Sequence, residues 1–265
     1  VKLVDLTRLL DSEDEKRIHP SVRSSRVLVP RVEYIRPEVE GVDVMCGAYG
    51  CTQDDLPEGE GWGSEDLHIA SHLGTHVDAP LHYGSKCEGK RARTVDQIGL
   101  EELFVDALVL DVRGKAGPGE AITSGMLKDA LAKNGGEVTP GCALLVRTGQ
   151  ERYDLSQREF FTYPGMTRES TLFLSGTGAK VLGTDALGWD RPINMMKDVF
   201  QKTKDKRDIW DGHFAGRDRE VFIVQQLVNL ASLPPNGFKV AFFPLKLARC
   251  SAAPARVVAF LNQPS

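Results

Sequence analysis

No run of apolar residues in this 265-residue chain approaches the roughly 20 needed to span a bilayer, so a helical membrane protein is not expected. The opening Val1-Lys2-Leu3-Val4-Asp5-Leu6 has neither the basic region nor the apolar core of a secretion signal. Positive charge is in deficit. Lys and Arg number 33 against 37 Asp and Glu, for a net charge of −4, which disfavours nucleic acid or an anionic membrane as partner. The five cysteines (Cys46, Cys51, Cys87, Cys142, Cys250) are odd in number and never spaced CxxC. That pattern fits free thiols in a reducing compartment, and a cytoplasmic protein is expected. There is no internal repeat, no low-complexity tract and no shift of composition to mark a second domain. Residues 1–265 are read as one domain, long enough for a sizeable core, with 11–63 an extended arm and loop region.

Histidine is scarce too, with six in the chain, yet four fall between residues 68 and 82. The stretch is His68-Ile-Ala-Ser-His72-Leu-Gly74-Thr-His76-Val-Asp78-Ala-Pro80-Leu-His82. Imidazole and carboxylate are common ligands of divalent first-row metals. His72 and His76, four apart, and Asp78 can converge on one ion if the backbone turns between them. Gly74 permits such a turn, and Pro80 stiffens the exit. Three protein ligands leave coordination positions open, the mark of a catalytic metal site. A single histidine is more often a hydrogen-bonded structural residue; the clustering is what reverses that expectation. Period two in an extended run over 66–72 puts His68 on the face of His72 but four residues back, too far to join the set.

Elsewhere the pattern is α/β. Strands are expected near residues 1–10, 103–112, 143–147, 181–185, 238–243 and 255–261. The run 222–230 is apolar with Gln225, Gln226 and Asn229 set into it. Helices are expected after Thr123 or Ser124, closing at Asn134-Gly135, and after Thr167, ending at Gly176 and Gly178. Residues 11–40 read as irregular, with Arg23, Arg26 and Arg31 among apolar neighbours. The glycine-rich stretch 42–63 reads as a long functional loop, from which Tyr49 and Trp62 are candidates to line a substrate pocket. Lys202 to Arg207 reads as an exposed basic loop. Asp185 and Asp190 are expected as capping or surface-pairing residues ahead of any role in orienting imidazoles.

The run His72-Leu-Gly-Thr-His76-Val-Asp78-Ala-Pro-Leu-His82 resembles, over eleven consecutive positions, the signature of the cyclase family of metal-dependent hydrolases. That family includes bacterial kynurenine formamidase, isatin hydrolase and trans-dienelactone hydrolase. Leu56-Pro57-Glu-Gly-Glu-Gly-Trp62, Gly183-Thr-Asp185, Trp189-Asp190-Arg191-Pro192 and Phe243-Pro244 are similar to its longer members. The resemblance implies an α/β, swivelling β/β/α domain whose mixed sheets form a barrel-like core with flanking helices, assembled as a homodimer or homotetramer. It implies one divalent ion per chain, Zn or Mn, on His72, His76 and Asp78, with His82 catalytic and His213 of Trp210-Asp-Gly-His213 a later active-site histidine. Two-metal members carry a glutamate twelve residues beyond that histidine. Here the position is Gln225, an uncharged amide, which points to a one-metal site and to contact with the metal's water or the substrate. The implied activity is hydrolysis of a cyclic amide, lactone or N-formyl aryl amide of a small molecule by a metal-activated water. A lyase or cyclase reaction on a small carbonyl compound, or a catalytically silent ligand-binding protein, are the alternatives.

Overall fold

The computed structural model describes residues 1–22 and 27–262, so Arg23 and Arg26 lie outside the described residues. In chain order its main elements are β1 (Lys2–Asp5), β2 (Arg31–Ile35), α1 (Glu40–Tyr49), β3 (Ser64–His68), β4 (His76–Asp78), β5 (Phe104–Asp111), α2 (Ser124–Asn134) and β6 (Ala143–Arg147). There follow α3 (Arg168–Gly176), β7 (Val181–Thr184), α4 (Ile193–Thr203), α5 (Asp211–Phe214), β8 (Phe222–Gln225), β9 (Phe238–Pro244) and β10 (Ala252–Leu261). Seven strands close on themselves in the order β10-β9-β5-β6-β7-β8-β4, with β4 pairing back onto β10 and β1 added along β10. The pairs β5–β6, β6–β7 and β7–β8 are parallel, and the other ladders of the barrel are antiparallel.

The parallel strands read as near-continuous aliphatic runs because both of their faces are covered. Ala107, Val109, Leu145, Val181, Phe222 and Val224 join Val77, Val240, Phe242 and Val257 in one buried cluster that draws on all seven strands. The alternate residues, Leu108, Leu110, Leu144, Val146, Leu182 and Ile223, form a second cluster with Leu127 and Ala130 of α2 and Leu174 of α3. Thr123 caps α2 by accepting from the Met126 N–H, and Thr167 caps α3 by accepting from the Ser170 N–H, as their sequence positions predict. This two-faced arrangement sets the site. On β4, Val77 points into the barrel, so His76 and Asp78 on either side of it point outward. On β8, Ile223 and Gln225 share the outward face, and the register sets Ile223 opposite Asp78 and Gln225 opposite His76.

Four expectations change. The stretch 42–63 is not all loop: residues 40–49 form α1. Gly41 and Gly61 serve close packing: a Cβ on Gly41 would stand 2.2 Å from the Trp62 carbonyl oxygen, and one on Gly61 2.0 Å from the Gly41 carbonyl oxygen. Residues 31–35, read as irregular, form β2, paired antiparallel with β3. That strand stops at His68, so the extended run does not continue to His72, and His68 is exposed on the arm. Residues 193–203 form α4, which takes in Lys202; Ile193, Met196 and Phe200 recur at helical spacing along it. All five cysteines are unpaired, and no helix among the described residues is long and apolar enough to cross a membrane.

Candidate active site

The turn that carries the histidines is shaped by Gly74, whose φ of +59° is in the left-handed region. A Cβ there would also lie 2.4 Å from Leu10 Cδ2. Thr75 pins the turn from behind, its hydroxyl donating to the Gln226 carbonyl at 2.7 Å and accepting from the Arg8 N–H at 2.9 Å. After Asp78 the chain enters a 3-10 turn, Pro80–His82, with Pro80 at its first position, where a missing N–H costs nothing. The turn folds His82 back so that its ring centroid lies 3.9 Å from that of His72.

Asp78 is the centre. It is fully buried. One oxygen, Oδ2, accepts from Gln225 Nε2 at 2.7 Å and lies 3.5 Å from His213 Nε2. The other, Oδ1, is buried without a hydrogen bond. His72 Nδ1 stands 2.8 Å from it and His76 Nε2 3.4 Å, neither aligned to donate. A buried carboxylate oxygen left without a donor costs on the order of 1–3 kcal/mol or more, and two imidazole nitrogens facing it are the surroundings a divalent cation needs. The residues present therefore fit a metal ion. Burial would raise the Asp78 pKa, but its electrostatic interactions with His76, His213 and His72 hold it well below the ordinary carboxylate range. It is an anion ready to ligate.

His76 is buried, and its Nδ1–H donates to the Gly74 carbonyl at 2.7 Å, which leaves the Nε2 lone pair facing Asp78. His72 is anchored through Nε2 to Ser251 Oγ at 3.2 Å. His82 differs: no side-chain hydrogen bond holds its ring among the described residues. Ligand atoms of His72, Asp78 and His82 nonetheless come within 4.8 Å of one another. Four imidazoles thus ring one carboxylate, and the sequence-derived trio is distinguished by the fixed tautomer of His76. Burial, opposed by the Asp78 charge and reinforced by the neighbouring histidines, pushes the His82 pKa down to about 3, so the ring is neutral at physiological pH.

His213 reaches the site from α5. Burial would lower its pKa, but Asp190 and Asp78 more than offset this and raise it to about 9. Asp190 bonds His213 Nδ1 and accepts from the Gly212 and His213 backbone N–H groups at 2.6 and 3.1 Å. The expectation of capping or surface pairing for Asp190 is thus half corrected: it caps α5 from a buried position and at the same time orients the His213 imidazole. Asp190→Asn is expected to lower turnover by about 10–100-fold, the usual cost of losing a partner that aims an active-site histidine. Steady-state rates with the metal content measured in parallel check it.

Asp185, expected as a helix-capping or surface-pairing residue, instead pins the turn after β6 from a buried position. It is fully buried and accepts from the Thr148 N–H and hydroxyl and the Gly149 N–H at 2.8, 2.6 and 2.7 Å. Burial raises its pKa against the pull of these donors. Asp185→Ala should lower stability by about 3 kcal/mol by orphaning them, read as a lower urea midpoint with metal content unchanged.

Gln225 has its amide orientation fixed. Its Oε1 accepts from the Trp189 N–H at 3.1 Å, and a backbone N–H can only donate. The NH2 end therefore faces Asp78, with His213 Nε2 at 3.3 Å and His76 Nε2 at 3.4 Å. A hydrogen-bond donor thus occupies the space between Asp78, His76 and His213, where a second cation would otherwise be bound by the same groups.

These side chains open on a cleft of about 410 Å³, lined also by Leu28, Tyr163, Leu187, Trp189 and Trp210. Tyr49 and Trp62 are not among its lining residues. They lie on the arm, 71% and 43% exposed, because α1 and its contact at Gly41 hold that segment away from the motif. The aromatic residue that does face the histidines is Trp210, stacked on His213 at 4.4 Å and edge-on to His82 at 4.8 Å. Its neighbour His213 marks the segment in the sequence, but nothing local shows which way the indole turns.

Comparison with known proteins agrees with this geometry. The Cyclase family model matches residues 4–191. Among curated proteins, the chain is 27% identical over 192 residues to kynurenine formamidase of Salinibacter ruber, covering 72% of this chain and 77% of that one. It is 26% identical over 207 residues to isatin hydrolase of Roseibium aggregatum, covering 73% of each. Isatin hydrolase A from Labrenzia aggregata, solved with benzyl benzoate, shares the fold with a TM-score of 0.74 at 22% identity, over 99% of this chain and 94% of that one. The barrel and its flanking helices are the fold of those hydrolases, and the chain belongs to the Cyclase family.

Proposed function

We propose that this protein is a divalent-metal-dependent hydrolase that cleaves an amide-type C–N bond, in a cyclic amide or an N-formyl aryl amide, with a lactone C–O bond as the related alternative substrate. The observation that carries the reading is Asp78 Oδ1, buried and without a hydrogen bond, with His72 and His76 turned towards it. The similarity to a kynurenine formamidase and an isatin hydrolase supports the choice of bond. His72, His76 and Asp78 hold one ion, Zn or Mn. When bound, such an ion polarises a carbonyl and brings the pKa of water down towards neutrality.

The remaining side chains divide the proton and charge work. The ring of His82 has no side-chain hydrogen bond among the described residues and lies against those of His72 and His213, which places it to accept the proton of the attacking water and deliver it to the leaving nitrogen. His213, held as an imidazolium by Asp190, donates towards negative charge developing on the carbonyl oxygen. Gln225 occupies one oxygen of Asp78 and leaves the other for the ion. Trp189, Trp210, Leu187 and Leu28 give the cleft apolar walls suited to an aryl group. The same reading has the enzyme in the cytoplasm, as a homodimer or homotetramer acting on a small molecule.

Protein purified in the presence of Zn2+ or Mn2+ should contain one ion per chain and hydrolyse isatin, formanilide or a γ-lactone. At a free metal concentration of 100 Kd the ion should add about 2.7 kcal/mol of stability, which chelation removes. A protein that retains no divalent ion, with melting unaffected by either metal, overturns the reading.

A further inference from the structure

Beside the catalytic cleft runs a second concavity of about 430 Å³, between α4 and the segment from Ile209 to Phe214. Ile193, Met196 and Trp210 border both, so groove and cleft are continuous. Past that junction the groove is lined by Phe200, Ile209 and Phe214, with Lys197 its one charged residue. No carboxylate lines it. Ile193 is 77% exposed and Ile209 41%, so a connected apolar surface opens at the mouth of a polar site. Connected apolar surface at such a mouth characterises ligand-binding grooves.

Trp210 makes the junction. Its φ of 50° and ψ of 40° put an aromatic residue in the left-handed region, a conformation that persists only where surrounding contacts enforce it. Those contacts are His213, stacked on the indole, and Phe214, edge-on at 5.2 Å. The ring thus borders the reacting centre and the groove together. A concavity of this volume suits a ring or a short chain, whereas a stable protein interface needs roughly 800 Å² from each partner.

We propose that the substrate carries an apolar substituent, alkyl or aryl, that passes Trp210 and lies in the groove between α4 and residues 209–214. The assignment rests on the amide-hydrolase reading and narrows it: the preferred substrate is larger than a bare bicyclic amide and extends away from the scissile bond on its aryl side.

The test is a series of formanilides, unsubstituted and with para-methyl, para-ethyl and para-butyl groups, given to the metal-loaded enzyme. A methylene leaving water is worth about fourfold, partly offset by ordering of the chain, so kcat/KM should rise about 10–100-fold across the series. In Phe200→Asp the rise should shrink to about threefold or less, and Ile209→Ser should show the same loss should the first variant fold poorly. A wild-type profile that stays flat or falls while formanilide itself is hydrolysed overturns the groove and leaves the hydrolase reading standing. Should no anilide turn over, the N-formyl aryl amide is struck from the proposed substrates, and the groove is judged by calorimetry with para-alkylanilines. Affinity that climbs with chain length in the wild type and not in Phe200→Asp supports it; a flat series overturns it. A flat series together with a lower oligomer mass for Phe200→Asp assigns the groove to a second copy of the chain and likewise overturns it.

Discussion

His76→Ala is expected to leave the enzyme without its ion, whereas His82→Ala should keep one ion per chain and lose about 10²–10⁴-fold in turnover, the usual weight of a general acid–base group. The two residues are close in sequence and face the same carboxylate, so the contrast depends on how each ring is held. His76 has Nδ1 committed to the Gly74 carbonyl, which fixes the tautomer and aims Nε2 at Asp78 Oδ1. A ligand held in this way loses little freedom on binding metal. His82 has no such anchor among the described residues, and its ring lies between those of His72 and Trp210, with centroids at 3.9 and 4.8 Å. A proton carrier has to exchange partners during turnover, and an unanchored neutral imidazole can do so. Elemental analysis and kcat, measured on both variants, separate the roles. Loss of the ion in His82→Ala would make the compact trio His72, Asp78 and His82 the binding set and move the proton transfer to another group.

The second large effect is expected at Gln225. Gln225→Glu replaces a donor 2.7 Å from Asp78 Oδ2 with a second carboxylate in a buried site. Two carboxylates so close cannot both ionise without a cation between them. The metal-free variant should therefore be less stable by about 3 kcal/mol or more, the scale of an uncompensated buried charge. With Zn2+ or Mn2+ supplied, the variant should take up two ions per chain where the parent takes one, with His213 drawn in as a ligand. Melting with and without chelator, together with metal stoichiometry, checks both halves. A variant that still binds one ion and melts unchanged without metal would show that the amide does not exclude the second site.

The cluster of His72, His76, Asp78 and His82 was legible because its parts are local, and Gly74 sits where the turn requires a left-handed residue. That His76 and Asp78 flank an inward Val77 on a short strand was not, since the extended run expected over 66–72 stops at His68. The aliphatic strands and the caps of α2 and α3 were legible because they too are local. The arm was not. Two of its glycines, Gly41 and Gly61, serve the close approach of α1 to residues 61–62, and close approach between distant segments leaves no periodic trace. Helix α4 was passed over although Ile193, Met196 and Phe200 recur at helical spacing, because they face a groove that only folding creates.

By itself the sequence determined which histidines cluster with which aspartate, their spacing, and the amide rather than acid at position 225. The strands on which His76, Asp78 and Gln225 stand came from the tertiary structure. Only the tertiary structure decided that Asp190 aims His213, that the Gln225 amide turns its NH2 end to Asp78, and that Trp210 rather than Tyr49 or Trp62 borders the cleft. The reason is physical. Backbone periodicity and turn preference act over a few residues, whereas the direction of a side chain towards a partner more than twenty positions away is set by the packing of the barrel and the helices around it.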